Sequence, residues 1–125
     1  MKNKKILISI KPKFVEKILS GDKKYEYRTK RPKTNINTML IYCTSPTMKI
    51  VAEASIEHII CGTPNKIWKM TNEKSGIQQK DFFKYFSGKK MAYAYKLNKI
   101  TKFNAPRKLK YYGITHPPQS FQFLK

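Results

Sequence analysis

The pattern of apolar and polar positions near the start of the chain predicts a strand, a helix and a second strand. Residues 6–10 form an apolar, β-branched run, which is typical of a buried strand. After Lys11-Pro12, apolar residues recur at helical spacing from Phe14 to Leu19, and Gly21 suits the C-terminal cap of that helix. The segment that follows Gly21 alternates again and predicts a strand ending at Arg28.

The middle of the chain is dominated by strand patterns. Residues 29–38 are basic and contain Pro32, so we expect a loop, and residues 39–43 resume a short apolar strand. Residues 50–60 alternate and predict one long strand, with His58 on its apolar face. Small alanines on that face indicate tight packing or strong curvature, as in a small barrel.

The second half of the chain alternates between helix and strand signals. Thr63-Pro64 is typical of a helix start, and phenylalanines at three- and four-residue spacing predict another helix over residues 78–86. We expect strands over residues 91–100 and 108–112, and a last strand after Pro117-Pro118. The whole pattern predicts one α+β domain over residues 1–125, a mixed sheet or barrel of about six strands with two to three flanking helices.

A compact polar cluster is expected on the second strand, in the octet from Gly21 to Arg28. Strand alternation sends Glu26 and Arg28 to one face, and Lys23 lies at the turn beside them. Such a cluster can bind a ligand, or it can be an ordinary solvated strand face in a lysine-rich protein. Composition alone leaves both interpretations open.

The charge of the chain favours a polyanionic partner. The formal net charge is +20, and 12 of the basic residues lie within the first 33 positions. Between Thr34 and Asn65 the only basic residue is Lys49, so the charge is uneven and a basic face is expected. RNA or DNA is the partner class that such a face indicates, and a coding bias toward lysine is the alternative.

Other functional classes have little support in the sequence. Cys43 and Cys61 end hydrophobic runs and match no metal or redox spacing, so we expect buried free thiols and no metal site. No phosphate-binding glycine loop or Ser-His-Asp arrangement is recognisable, and we expect no cofactor. No apolar run is long enough for a signal peptide or a membrane span, so a cytoplasmic protein is expected. Nothing indicates an obligate protein partner.

The octet and its flanks resemble the ASCH domain family of the PUA-like superfamily. Lys23, Glu26 and Arg28 occupy the fixed positions of the family signature Gly-x-Lys-x-x-Glu-x-Arg. The flanking segments 9–12, 42–46 and 117–121 also look like those of short stand-alone members. The resemblance implies a PUA-like barrel whose signature residues line a cleft for RNA or a modified nucleoside.

The resemblance implies two kinds of activity. Some family members are amidohydrolases acting on acetylated cytidine, with a signature lysine, a threonine three residues later and a glutamate in a later helical segment. Here Lys23 occupies the first position, Glu26 replaces the threonine, and the third position falls near Ser75, with Glu73 two residues away. Other members are ribonucleases, for which Lys23, Glu26 and Arg28 would contact phosphate.

Three hypotheses follow from the sequence. The first is a binding module for a nucleotide or an RNA end, the second is a hydrolase with Lys23 and Glu26 as catalytic residues, and the third is an adaptor whose charge is compositional. The candidate ligand-binding residues are Lys11, Lys23, Glu26, Arg28, Ser45, Gln119 and Ser120.

Overall fold

The computed structural model describes residues 4–124 and contains six strands and three α-helices in this part of the chain. The strands are β1 (Lys5–Ile10), β2 (Tyr25–Arg28), β3 (Thr38–Cys43), β4 (Lys49–Gly62), β5 (Ala92–Arg107) and β6 (Phe121–Leu124). The helices are α1 (Pro12–Ser20), α2 (Pro64–Thr71) and α3 (Gln79–Tyr85), with 3-10 turns at Asn72–Lys74 and Leu109–Tyr112. None of the helices in these residues is long and apolar enough to span a membrane.

The helix boundaries follow local chemistry. Proline occupies the first turn of α1, where its missing N–H would have had no partner, and Gly21 ends the helix with a φ of +89°. Thr63 caps α2, because its hydroxyl oxygen accepts a hydrogen bond from the Lys66 N–H. Because Gly21 ends α1, the turn that carries Lys23 begins directly after this residue.

The strands form one mixed, curled sheet in the order β2-β5-β4-β3-β1-β6. β1 and β3 are parallel, and the other neighbouring pairs are antiparallel. The predicted α+β class, with about six strands and flanking helices, is confirmed. The sheet is curled into a half-barrel, with β2 and β6 at its two edges.

Both faces of the sheet are covered by apolar side chains. The main cluster joins α1 to one face and includes Ile8, Ile18 and Ile41. A second cluster surrounds Phe82 of α3 and includes Tyr27, which brings α3 close to β2. On the opposite face, Leu7 and its neighbours are covered by the chain after β5.

Several local predictions are wrong. β5 continues to Arg107, and residues 109–112 form a 3-10 turn because Leu109 and Tyr112 pack onto the third cluster instead of extending a strand. Register shifts in β4 before position 58 turn His58 outward, where it contacts Glu57. Cys61 is exposed, whereas Cys43 is buried as expected.

Candidate functional site

Lys23 is a buried cation at the turn between α1 and β2. The residue is only 3% exposed, and its Nζ donates a hydrogen bond to the Ser75 carbonyl oxygen at 2.7 Å. The ammonium lies 4.8 Å from the centre of the Tyr27 ring and 5.2 Å from that of Phe14. Such contacts with aromatic faces partly replace the hydration that burial removes.

The segment that covers Lys23 requires a glycine. Gly76 has a φ of +66°, and a Cβ atom placed there would lie 2.5 Å from the Lys23 Cβ. A side chain would therefore be strained by the backbone and would also collide with the lysine stem. Lys17 Nζ donates to the Gly76 carbonyl oxygen at 3.3 Å, so the segment contacts α1 as well.

Burial changes the acidity of Lys23. Desolvation lowers its pKa from 10.5 to about 8, and the nearby positive charges of Lys17 and Arg28 act in the same direction. The Glu26 carboxylate opposes this effect, with Oε1 at 4.0 Å from the Lys23 Nζ. Lys23 is therefore mostly protonated at neutral pH and loses its proton in a mildly alkaline solution.

Glu26 and Arg28 form a short ion pair on β2. Arg28 Nε and Nη2 lie 2.9 and 2.8 Å from Glu26 Oε2, and Nη2 also donates to the Ser9 carbonyl oxygen of β1. Among residues 4–124, no hydrogen bond reaches Arg28 Nη1, and Glu26 Oε1 faces the Lys23 ammonium at 4.0 Å without a hydrogen bond. The pair therefore has a fixed orientation, with one donor group and one acceptor oxygen still available.

These side chains line a cleft of about 570 Å³. One wall consists of the end of β1 and the start of α1, and the second consists of the turn and β2. The third consists of α3 and Ile77, which lies two residues before the helix. The lining residues are Ser9, Ile10, Lys11, Lys13, Phe14, Lys23, Glu26, Tyr27, Arg28, Ile77, Asp81, Lys84 and Tyr85.

The structure brings four of the predicted site residues together and leaves three outside the lining. Lys11, Lys23, Glu26 and Arg28 line the cleft, whereas Ser45, Gln119 and Ser120 do not. Ser45 lies in the β3–β4 turn, next to a cis peptide bond. The segment before Gln119 does reach β1, because Ser9 Oγ donates to the Pro118 carbonyl oxygen at 2.8 Å.

The contribution of α3 was not predicted from the sequence. Asp81, Lys84 and Tyr85 line the cleft, while Phe82 on the other side of the helix is fully buried. The phenylalanine spacing predicts the helix and its buried side, but it contains no signal for what its polar side faces. Ser75, the position reached through the family resemblance, does lie at the site through its carbonyl oxygen.

Residues 4–124 contain no group of three or more histidine, cysteine, aspartate or glutamate side chains that could hold a metal ion. The lining of the cleft offers cations, carboxylates and aromatic rings.

The protein is a curled six-stranded half-barrel, and its charged cleft lies at the turn before β2. The family model for the ASCH domain matches residues 8–105, and the chain belongs to the ASCH domain family. The family predicted from the octet is therefore confirmed.

A solved structure and a relative from Zymomonas mobilis, both named for the ASCH domain, are consistent with this family. The crystal structure of ASCH from Zymomonas mobilis has a TM-score of 0.90 and 26% identity, covering 99% of this chain and 90% of that one. A protein of Zymomonas mobilis named ASCH domain-containing ribonuclease is 28% identical over 126 residues, covering 98% of this chain and 85% of the relative.

Two further relatives are much longer proteins of Ureaplasma parvum. Large ribosomal subunit protein uL22 is 32% identical over 121 residues, and ATP synthase subunit alpha is 29% identical over 121 residues. Each match covers 96% of this chain, but only 39% and 15% of the respective relatives. The chain thus spans less than half the length of these two proteins.

Proposed function

We propose that this protein binds single-stranded RNA and that one nucleotide occupies the cleft. The observation that carries the proposal is the fixed guanidinium of Arg28 on the cleft lining. Glu26 and the Ser9 carbonyl hold its Nε and Nη2, while Nη1 has no partner among residues 4–124. A guanidinium oriented in this way suits a phosphate oxygen, because little conformational freedom is lost when the ligand binds.

The neighbouring groups suit the rest of a nucleotide. Glu26 Oε1 can accept a hydrogen bond from a base amino group or a ribose hydroxyl. Phe14 and Tyr85 supply apolar surface for a base, and the cleft volume of about 570 Å³ lies within the usual range for small-ligand sites. The site thus offers different partners for phosphate and for base.

Charge around the cleft supports an anionic ligand. Besides Lys23, the cleft is lined by three lysines: Lys11, Lys13 and Lys84. Among residues 4–124, the only acidic side chains in this lining are Glu26 and Asp81. The net charge of +20 adds attraction for a polyanion that does not depend on sequence. The ribonuclease name of the Zymomonas mobilis relative supports RNA as the polyanion.

Fluorescence anisotropy with a labelled 12-nucleotide RNA tests the proposal. We expect Arg28→Ala to weaken binding by about tenfold or more, because hydrogen bonds to charged groups contribute about 1.5–3 kcal/mol. Arg31→Ala is the matched control, since this exposed arginine lies in the neighbouring loop. Equal losses in both variants, or an affinity that does not change with salt, would contradict binding in the cleft.

A second candidate function is RNA cleavage. It is favoured by the pKa of about 8 for Lys23 and by the name of the Zymomonas mobilis relative. In this mechanism, neutral Lys23 accepts the proton of the hydroxyl that attacks the phosphorus. The phosphorus–oxygen bond to the next nucleotide breaks, the leaving oxygen takes a proton from solvent, and Arg28 stabilises the negative charge that develops on the phosphate.

Incubation with labelled RNA separates cleavage from binding. We expect cleavage by the wild type to increase up to about pH 8, to be lost in Lys23→Met, and to persist in Lys24→Met, which changes the exposed neighbour. Cleavage that persists in Lys23→Met would exclude this role. Parallel incubation with acetylated cytidine tests the amidohydrolase activity that the family resemblance also implies.

A further inference from the structure

An arginine lies between two aromatic rings near the end of β5, outside the cleft lining. Arg107 Cζ is 4.1 Å from the centre of the Phe103 ring and 5.2 Å from that of Tyr111. Its Nη1 also donates to the Tyr112 hydroxyl oxygen at 2.6 Å. The guanidinium is therefore held in place by both stacking and a hydrogen bond.

Tyr111 presents an open aromatic surface. At 71% exposed, it is the most exposed large hydrophobic side chain in residues 4–124. Its neighbour Tyr112 packs against the third apolar cluster and contacts the Tyr111 ring edge-to-face, with centroids 5.0 Å apart. Tyr111 is thus kept in position by Tyr112 and Arg107, although its own ring is mostly in solvent.

The chain around this ring is strongly basic. No aspartate or glutamate follows Asp81 in the sequence, and the nine residues 102–110 contain Lys102, Arg107, Lys108 and Lys110. The Glu53 carboxylate of β4 attracts the Arg107 charge electrostatically, but it is already in an ion pair with Lys5 at 3.0 Å. An exposed ring surrounded by cations is the combination that single-stranded nucleic acids recognise, through base stacking and phosphate contacts.

The register of the sheet places this surface at the same end as the cleft. Ile10, which lines the cleft, pairs with Cys43, Cys43 pairs with Lys49, and the next residue of β4 pairs with Arg107. Ile10 and Arg107 are therefore separated by three strand-to-strand spacings, from β1 through β3 and β4 to β5, which corresponds to roughly 15 Å. A single RNA strand of several nucleotides can therefore reach both places around the end of the sheet.

We propose that Tyr111, supported by Arg107, is a second RNA-contact site on which one base of the strand stacks, while Lys108 and Lys110 attract the neighbouring phosphates. The proposal rests on RNA binding as the function, and it extends the contact from one nucleotide in the cleft to a longer strand. The surface adds affinity for any base, because every base has a flat face.

The test compares a 12-nucleotide RNA with a single nucleotide, uridine monophosphate. We expect Tyr111→Ala to weaken binding of the 12-nucleotide RNA by about tenfold, since stacking on an aromatic residue contributes on this scale. Tyr111→Phe should keep the wild-type affinity, because the ring is retained. Met70→Ala, which truncates another exposed apolar side chain on α2, is the control and should have no effect. Binding of the mononucleotide should be unchanged in all three variants.

The outcomes separate this surface from the cleft. If Arg28→Ala weakens RNA binding while Tyr111→Ala matches the wild type, the second site is excluded and the proposed function remains. Equal losses for Tyr111→Phe and Tyr111→Ala also exclude stacking. If the wild type binds no RNA at any salt concentration, both proposals are wrong. Thermal melting of each variant confirms that the changes at this exposed ring leave the fold intact.

Discussion

Replacing Lys23 by methionine removes an ammonium group that the fold holds away from water, and it should change how stability depends on pH. The pKa of Lys23 is about 8 in the folded protein and close to 10.5 in the unfolded chain. Below pH 8 the lysine is protonated in both states. Between pH 8 and 10.5 the unfolded chain binds more protons, so the stability of the folded protein rises with pH.

The size of this effect follows from the pKa difference. Stability rises by about 1.4 kcal/mol per pH unit once Lys23 is neutral in the folded state and charged in the unfolded state. Between pH 7 and pH 9.5 the gain is therefore about 2 kcal/mol. Tyr27 acts in the opposite direction only above pH 10, since burial raises its pKa from 10.0 to about 12.

Urea unfolding followed by Trp68 fluorescence measures this gain. The free energy of unfolding is compared between the wild type and Lys23→Met at several pH values from 7 to 9.5. The Ser75 carbonyl loses its donor in the variant, but this loss shifts the curve by a constant and leaves its slope unchanged. Lys24→Met, at the exposed neighbouring position, is the control and should follow the wild type.

We expect the wild type to gain about 2 kcal/mol relative to Lys23→Met over this pH range. A difference between the two proteins that stays constant within about 0.5 kcal/mol, or that falls as the pH rises, would refute the lowered pKa of Lys23 in the folded protein.

Two further substitutions test the packing around the cleft by thermal or urea unfolding. Gly76→Ala should destabilise the protein more than Gly88→Ala, because both positions have positive φ but only Gly76 lies against the Lys23 side chain. The backbone strain alone is about 1–2 kcal/mol, so equal losses at the two glycines would contradict the close contact. Thr71→Val removes the hydroxyl that lies 2.7 Å from the Tyr27 hydroxyl, and we expect a loss of about 1–3 kcal/mol. Wild-type stability of Thr71→Val would show that this buried hydrogen bond contributes nothing.

Local chemistry made the first part of the fold predictable. Pro12 and Gly21 mark the two ends of α1, and the alternation after Gly21 predicts β2 with Glu26 and Arg28 on the same strand. Residues two apart on a strand face the same way, so their ion pair follows from the sequence. The core of the site was predictable because its residues are close neighbours in the chain.

The rest of the site depends on contacts between distant parts of the chain. The Ser75 carbonyl that accepts from Lys23 is 52 positions away from it. Lys84 and Tyr85 face the cleft because Phe82 packs beside Tyr27 in the second cluster, a tertiary contact that helical spacing alone does not contain. The strand predicted at residues 108–112 is wrong for the same reason, because packing onto the sheet is a tertiary contact that overrides a strand-like pattern.

NMR titration of ¹⁵N-labelled protein with the 12-nucleotide RNA shows whether the RNA occupies the cleft, because it reports where the ligand binds. We predict that the backbone amide signals of Lys11, Arg28 and Lys84, one from each wall of the cleft, shift together and saturate at the affinity measured by anisotropy. RNA binding in the cleft is contradicted if RNA binds but these three signals stay in place at saturation.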